Sequence, residues 1–263
     1  MLPEDSHWPE TPEQWSAWTF RNFQPDQTFN VANIERGDNL ESFVRNSQRY
    51  QADLLKLATE SYRASKGTGV TGLFQFMFMD CWPSITWSIL DHDRRPKQGY
   101  HSLRKSMQPV VATFLGGWLP RNCLELGSPW TLATVFNVSL INDLNRPLEG
   151  VRLVVEVELE SLERVPLYDI TVDLPAHSVT QPLDVTQILE GGFPHPDLPE
   201  TILKAITTRV PPGEHRLVAT LYDHQESFIS ENDFAVNWVA PRVGVASAFL
   251  PASESEPQPG SAS

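Results

Sequence analysis

From about residue 130 to residue 239 the chain repeatedly alternates apolar and polar residues over strand-length stretches: "WTLATVFNVSLIN", "VRLVVEVELE", "LYDITVDL", "SVTQPLDV", "KAITTRV", "HRLVATLYD" and "SFISENDFAVNWV". A period of two puts every second side chain on one face of an extended backbone, which a helix cannot reproduce. Turn signals such as "NDLNRPLEG" and "VPPGEH" separate the stretches. About seven short strands at this spacing predict a two-sheet antiparallel β-sandwich of immunoglobulin-like type over residues 111–245. "LEGGFPHPDLPE" reads as a longer loop inside it, and the Ser-, Pro- and Glu-rich residues 246–263 read as a disordered tail.

Residues 1–110 follow a different pattern. Phe43, Ser47, Tyr50, Leu54, Leu57 or Ala58, and Ser61 recur at helical spacing, predicting an amphipathic helix from about Glu41 to Ser65, closed by the glycines of "KGTG". The continuous apolar run "VTGLFQFMFM" then reads as a strand buried on both faces, as in parallel sheets covered by helices. "GYHSLRKSMQPV" follows as a short helix with Tyr100, Leu103 and Met107 on one face. Helix, buried strand and helix belong to α/β architecture. A parallel barrel needs eight such strands, so this segment reads as the end of a barrel whose beginning is elsewhere. Residues 1–42 lack a period and read as a long ordered loop with one short helix near Gln14 to Phe20. Trp8, Trp15, Trp18, Phe20 and Phe23 are expected to pack on something, since five aromatics do not suit a free tail.

The net charge of -13 and the scattered Lys and Arg argue against a nucleic-acid partner and favour an uncharged ligand. Two cysteines, Cys81 and Cys123, exclude a disulfide scaffold. No basic-then-apolar leader opens at Met1 and no run reaches the roughly 20 apolar residues a bilayer span needs, so the chain reads as soluble, with the cytoplasm favoured over export. The histidines are dispersed, and neither a metal site nor a cofactor is expected.

Three stretches carry a resemblance: "SQRYQADLLKLATESYR", "GLFQFMFMDCWPSITWSILDHDRRPKQGYHSLRKSMQPV" and "VSLINDLNRPLEG". Together they resemble the C-terminal part of glycoside hydrolase family 2 enzymes, in the β-mannosidase and exo-β-glucosaminidase branch. That family shows a Tyr-Gln helix, a strand ending in Phe-Trp-Gln-Leu-Asn-Asp-Cys-Trp-Pro, a Ser-Trp-Ser turn, an Asp-x-x-x-Arg-Pro-Lys segment and an Asn-Asp opening to the sandwich. The resemblance implies that residues 1–110 are the C-terminal portion of a (β/α)8 TIM-barrel catalytic domain, with Leu73 to Met79 as its eighth strand, followed by the sandwich.

By the same resemblance, Trp82 lines the pocket of the non-reducing terminal sugar and Asp80 lies next to it as a polar contact, at a strand end where barrel sites sit. Met79 stands where the family has asparagine and Phe76 where it has tryptophan. A retaining glycosidase needs an acid and a carboxylate nucleophile about 5–5.5 Å apart. The family carries them in an Asn-Glu pair and in a Glu-Tyr-Gly or Glu-Phe-Gly stretch; this sequence contains neither. No catalytic residue is therefore assigned. The chain is expected not to hydrolyse a glycoside alone, and its partners would be a carbohydrate and a chain supplying the rest of the barrel. The alternative is a non-catalytic carbohydrate-binding or structural sandwich module.

Other residues have plainer readings. Asp80 serves equally as a carboxylate fixing the strand-to-loop corner. Trp87 reads as core and Cys81 as a small buried hydrophobe. Asp91, Asp93, Arg94 and Arg95, with His92 beside them, read as a solvated charged turn. "NVS" at Asn137 reads as a chance match to a glycosylation acceptor.

Overall fold

The computed structural model describes residues 8–9, 12–114, 124–125, 137–182, 204–206 and 208–239. Among the described residues eight strands form two sheets: β1 (Val110–Phe114), β2 (Leu124–Glu125), β3 (Val138–Asn142), β4 (Leu148–Glu158), β5 (Arg164–Leu174), β6 (Ser178–Thr180), β7 (Gly213–Tyr222) and β8 (Phe228–Val239). One sheet has the order β1-β3-β6 and the other β2-β8-β7-β4-β5. All pairings are antiparallel except the short β2–β8 ladder.

The period of two is read out directly in burial. Val151, Leu153, Val155 and Val157 of β4 are all fully buried, and their ladder partners Leu221, Ala219 and Leu217 on β7 enter the same core. Phe114, Val138 and Leu140 close that core from the smaller sheet. Each such aliphatic side chain contributes about 1.5–3 kcal/mol relative to exposure. Pro166 is tolerated in β5 because that strand is an edge, at the register shift after Val155. The predicted sandwich is thus present as two packed, mainly antiparallel sheets.

One predicted strand is not a strand. In "KAITTRV" residues 204–206 and 208–209 are helical. Ile206 and Val210, four apart, both enter the core, and the Val210 N–H donates to the Ile206 carbonyl at 3.0 Å. The period of four outweighs the alternation there. The long loop at 189–200 and the tail at 246–263 lie outside the described residues.

Before the sandwich come a 3-10 turn (Pro12–Trp15), α1 (Ser16–Phe20), a π-turn (Gln27–Val31), α2 (Leu40–Ala64) and α3 (Gln98–Ser106). Asn39 caps α2 by accepting from the Ser42 N–H at 2.9 Å, while the Ser42 hydroxyl accepts from the Asn39 N–H at 3.2 Å. Four of the five aromatics expected to pack do so: Trp18 and Phe23 are buried with Phe43, and Trp8, Trp15 and Phe29 lie against them, whereas Phe20 is 78% exposed.

The predicted helix over 41–65 therefore forms, but its face is reversed along most of its length. Tyr50 and Leu54 of the expected buried stripe are exposed, as is Tyr62, whereas Ala52, Thr59 and Glu60 are buried. The polar side of α2 binds the neighbours. Gln51 Nε2 donates to the Trp87 carbonyl at 2.8 Å and Gln48 Oε1 accepts from the Gln98 N–H at 3.1 Å. Helix α3 approaches closely at Gly99, where a Cβ would lie 2.8 Å from Gln51 Oε1 and 3.0 Å from Leu55 Cδ1. Gly99 and Ser106 are the buried residues of α3, and Met107, expected on its apolar face, is exposed.

A polar seam joins the helices to the sandwich. Glu60 accepts from Ser106 Oγ at 3.0 Å and from Asn232 Nδ2 at 2.9 Å, and it pairs with Lys56. Asn232 also donates to the Ala112 carbonyl at 2.8 Å. Farther along, Asp143 accepts from Arg63 and Lys66, both at 2.7 Å. Burial opposes the Asp143 charge, but these hydrogen bonds and cations outweigh it and hold its carboxyl below the usual range.

A depressed folded pKa carries stability that is complete above the unfolded value of about 3.9 and is lost as pH falls through the lower folded value. Asp143→Asn is therefore expected to flatten the acid limb of an unfolding titration below about pH 4, monitored by circular dichroism. An unchanged limb would show that the Asp143 pairs carry no acid sensitivity.

Candidate functional site

The run expected to be a strand, Leu73 to Met79, joins no ladder among the described residues, and it is not buried. Phe74, Phe76 and Phe78 are exposed at 92%, 73% and 57%. Two physical reasons account for this. No neighbouring strand among the described residues offers its backbone to the run, and Met77 sits at φ +58, a left-handed conformation that breaks a regular strand. Only Met79 makes an isolated bridge, to Leu90.

The chain then turns through Asp80, Cys81 and Trp82. Asp80 is 2% exposed. Its Oδ2 accepts from Lys97 Nζ at 3.0 Å and its Oδ1 from Thr86 Oγ1, while Lys97 Nζ also reaches Ser88 Oγ at 2.7 Å. Burial works against ionisation of Asp80, but hydrogen bonds from Thr86, Ser88 and Lys97 with the Lys97 charge keep the carboxyl below its ordinary range.

Trp82 points outward, 41% exposed. Phe20 meets its ring edge-on at 6.4 Å, and the Arg21 guanidinium lies 5.6 Å from the ring centre. Arg21 Nη1 donates to the Pro83 carbonyl at 2.9 Å, and the Ile85 N–H to the Arg21 carbonyl at 2.8 Å. An open hollow of 390 Å³ lies between, lined by residues that include Phe20, Met77, Cys81, Trp82 and Thr86. The α1 segment and the loop after Met79 thus build one concave aromatic edge. Asp80 and Trp82 are two residues apart and face opposite ways: the carboxylate inward, the indole to the hollow.

Three other readings stand differently. Cys81 and Trp87 were expected buried, and both are exposed, because the loop that carries them has no covering layer among the described residues. The charged turn is a local hydrogen-bonded loop, with the Arg95 N–H on Asp91 Oδ1 at 2.8 Å and Arg94 at φ +66. Arg21 and Lys97 are the partners that sequence reasoning missed. The "RRPK" segment stood in the quoted motif, but nothing local says which carboxylate a lysine 17 residues away will meet. Among the described residues no group of His, Cys, Asp and Glu is placed to hold a metal ion, and no helix is long and apolar enough to cross a membrane.

In sequence over part of its length, and in fold over most of it, the chain is similar to β-mannosidase-like glycoside hydrolases, as its motifs implied. In sequence it is similar to β-mannosidase B of Aspergillus niger (29% identical over 86 residues, 32% of this chain and 10% of that protein) and to β-mannosidase B of Aspergillus oryzae (28% over 86 residues, the same shares). The chain thus matches about a tenth of the length of these curated relatives. In fold it is similar to the β-D-mannosidase of Dictyoglomus thermophilum, with a TM-score of 0.55, 16% identity, and coverage of 84% of this chain and 23% of that one. The exo-chitosanase CsxA of Amycolatopsis orientalis gives a TM-score of 0.51 at 14% identity, covering 77% and 20%. No protein-family model matches the chain.

Proposed function

We propose that the chain is the C-terminal portion of a β-mannosidase-like glycoside hydrolase of family 2, and that it does not hydrolyse glycosides alone. On this reading residues 1–110 are the closing part of a (β/α)8 barrel, and a separate stretch of protein supplies the acid and the nucleophile of a retaining mechanism. The observation that carries it is the outward row Phe74, Phe76 and Phe78, on a run that enters no sheet ladder among the described residues. Such a row is the inner part of a larger structure exposed by the absence of its neighbours. Trp82 supplies the apolar face against which a pyranose ring stacks.

The test is turnover of p-nitrophenyl-β-mannoside by the chain alone and by the chain co-expressed with the remaining barrel of a β-mannosidase. No turnover alone and turnover on completion is the expected pattern. Hydrolysis by the isolated chain at purified concentration would overturn the reading.

A second reading, a non-catalytic carbohydrate-binding module, is favoured by one observation: Trp82 and Phe20 already edge an open hollow in this chain. Titration with β-1,4-mannobiose decides it. Trp82→Ala is expected to weaken binding by about two- to tenfold, taking a stacked aromatic contact as worth roughly 0.5–1.5 kcal/mol. Equal affinity in the variant would remove Trp82 from the site.

A further inference from the structure

We infer that Asp80 and Lys97 form a buried ionic pin that positions the Trp82 loop, making both of them positioning residues and Asp80 not a ligand contact. The inference rests on Trp82 as the ligand-facing side chain, and adds how that side chain is held.

The geometry argues this in three steps. Asp80 is 2% exposed, and both its oxygens are already occupied, by Thr86 and by Lys97. It is not among the residues lining the hollow, whereas Cys81, Trp82 and Thr86 are. A ligand in the hollow therefore meets the loop and not the carboxylate.

Next, the pin closes both feet of the loop. The Asp80 N–H donates to the Leu90 carbonyl at 3.1 Å and the Lys97 N–H to the Ile89 carbonyl at 2.9 Å. Lys97 Nζ ties Asp80 to Ser88, and Thr86 Oγ1, which donates to Asp80, accepts from the Ser88 N–H at 3.2 Å. Between the feet the outer rim is fixed to Arg21 through Pro83 and Ile85. The clamp leaves Trp82 and Trp87 outward, and Trp82 is the one that edges the hollow.

Finally, the pair is charged and desolvated, so its members depend on each other. Lys97 is 15% exposed and is the charged group bonded to Asp80. Removing either partner strands a buried charge, whereas removing both does not. A merely space-filling role gives no such dependence.

The experiment is amide hydrogen exchange on the full chain for Asp80→Asn, Lys97→Met and the double variant, expressed as protection factors relative to unstructured rates at the same pH. The hydrogen-bonded amides 80, 85 and 88–90 are expected to lose protection at least tenfold in each single variant and by less in the double, while β4 and β7 amides stay as they were. Wild-type loop protection falls as pH drops below the ordinary carboxylate range, where Asp80 takes up its proton, and Asp80→Asn shows no such step. Unchanged loop protection in both single variants, or a double variant worse than either single, would overturn the pin.

Titration with β-1,4-mannobiose separates the two readings. Weaker binding by Lys97→Met, as well as by Asp80→Asn, supports the pin acting through the loop, whereas weaker binding by Asp80→Asn alone would make Asp80 a ligand contact and overturn it. A loosened loop in the variants together with no mannobiose binding by wild type supports the pin and overturns the sugar reading of Trp82.

Discussion

Glu60→Ala is expected to separate the helix pair from the sandwich at a cost on the order of 3 kcal/mol, the range for a buried ion pair that loses one partner. Glu60 is 5% exposed and gathers three elements at one oxygen: it pairs with Lys56 on α2, Ser106 Oγ of α3 donates to it at 3.0 Å, and Asn232 Nδ2 of β8 at 2.9 Å. Asn232 in turn holds the Ala112 carbonyl of β1. Truncation leaves the ammonium of Lys56, 16% exposed, without its carboxylate, and removes an acceptor from two buried donors.

Because the seam is polar rather than apolar, its loss opens a docking surface and leaves the sandwich core intact. Urea unfolding followed by α2 amide exchange is the measurement: α2 protection falls to that of a separately opening unit while β4 and β7 keep theirs. Glu60→Gln, which keeps an oxygen for Ser106 and Asn232, is expected to lie between wild type and alanine. An alanine variant with wild-type α2 protection would show that the seam does not hold the helices.

Leu153→Ala is expected to cost about 2–5 kcal/mol and to lower the melting temperature by roughly 10 °C, through lost apolar transfer and the cavity left behind. Leu153 is fully buried and its ladder partner Leu221 leaves no slack beside it. The contrast is Phe74→Ser, Phe76→Ser and Phe78→Ser combined. Three larger apolar groups are removed, yet the melting temperature is expected to stay within about 1 °C, because side chains already in water have little transfer energy to lose. Binding of an apolar dye falls in the same variant. Differential scanning calorimetry reports the two melting temperatures, and dye fluorescence reports the exposed apolar surface. A melting loss in the triple serine variant equal to that of Leu153→Ala would mean that the phenylalanine row is packed in solution.

The two halves of the chain were legible to different degrees. In the sandwich, "VRLVVEVELE" states its own geometry, since alternation along one strand is enough to say which side chains share a face. The same holds for the existence of α2, where the Asn39 and Ser42 cap and a long helical period lie close together in sequence. The face of α2 was not legible. Its apolar stripe at Tyr50 and Leu54 says which side prefers burial, but the described residues place α3 and the sandwich on the other side, where Glu60, Lys56 and Gln51 find partners. "KAITTRV" was misread because its seven residues fit a period of two and a period of four alike.

For the candidate site, the motif around "MDCWP" marked the right loop but not the division of labour inside it. Trp82 and Asp80 looked alike as neighbours at a strand end; in space one faces the hollow and the other is consumed by Lys97. What the sequence alone determined were the properties written in local periodicity and in short motifs: sandwich strands, the long helix, and kinship with β-mannosidase-like proteins. The tertiary structure decided which apolar surfaces are covered, which carboxylate meets which cation, and that the Leu73 to Met79 run enters no sheet ladder among the described residues. The physical reason is that a side chain's period depends on its own backbone, whereas its burial and its ion partner depend on segments tens of residues away.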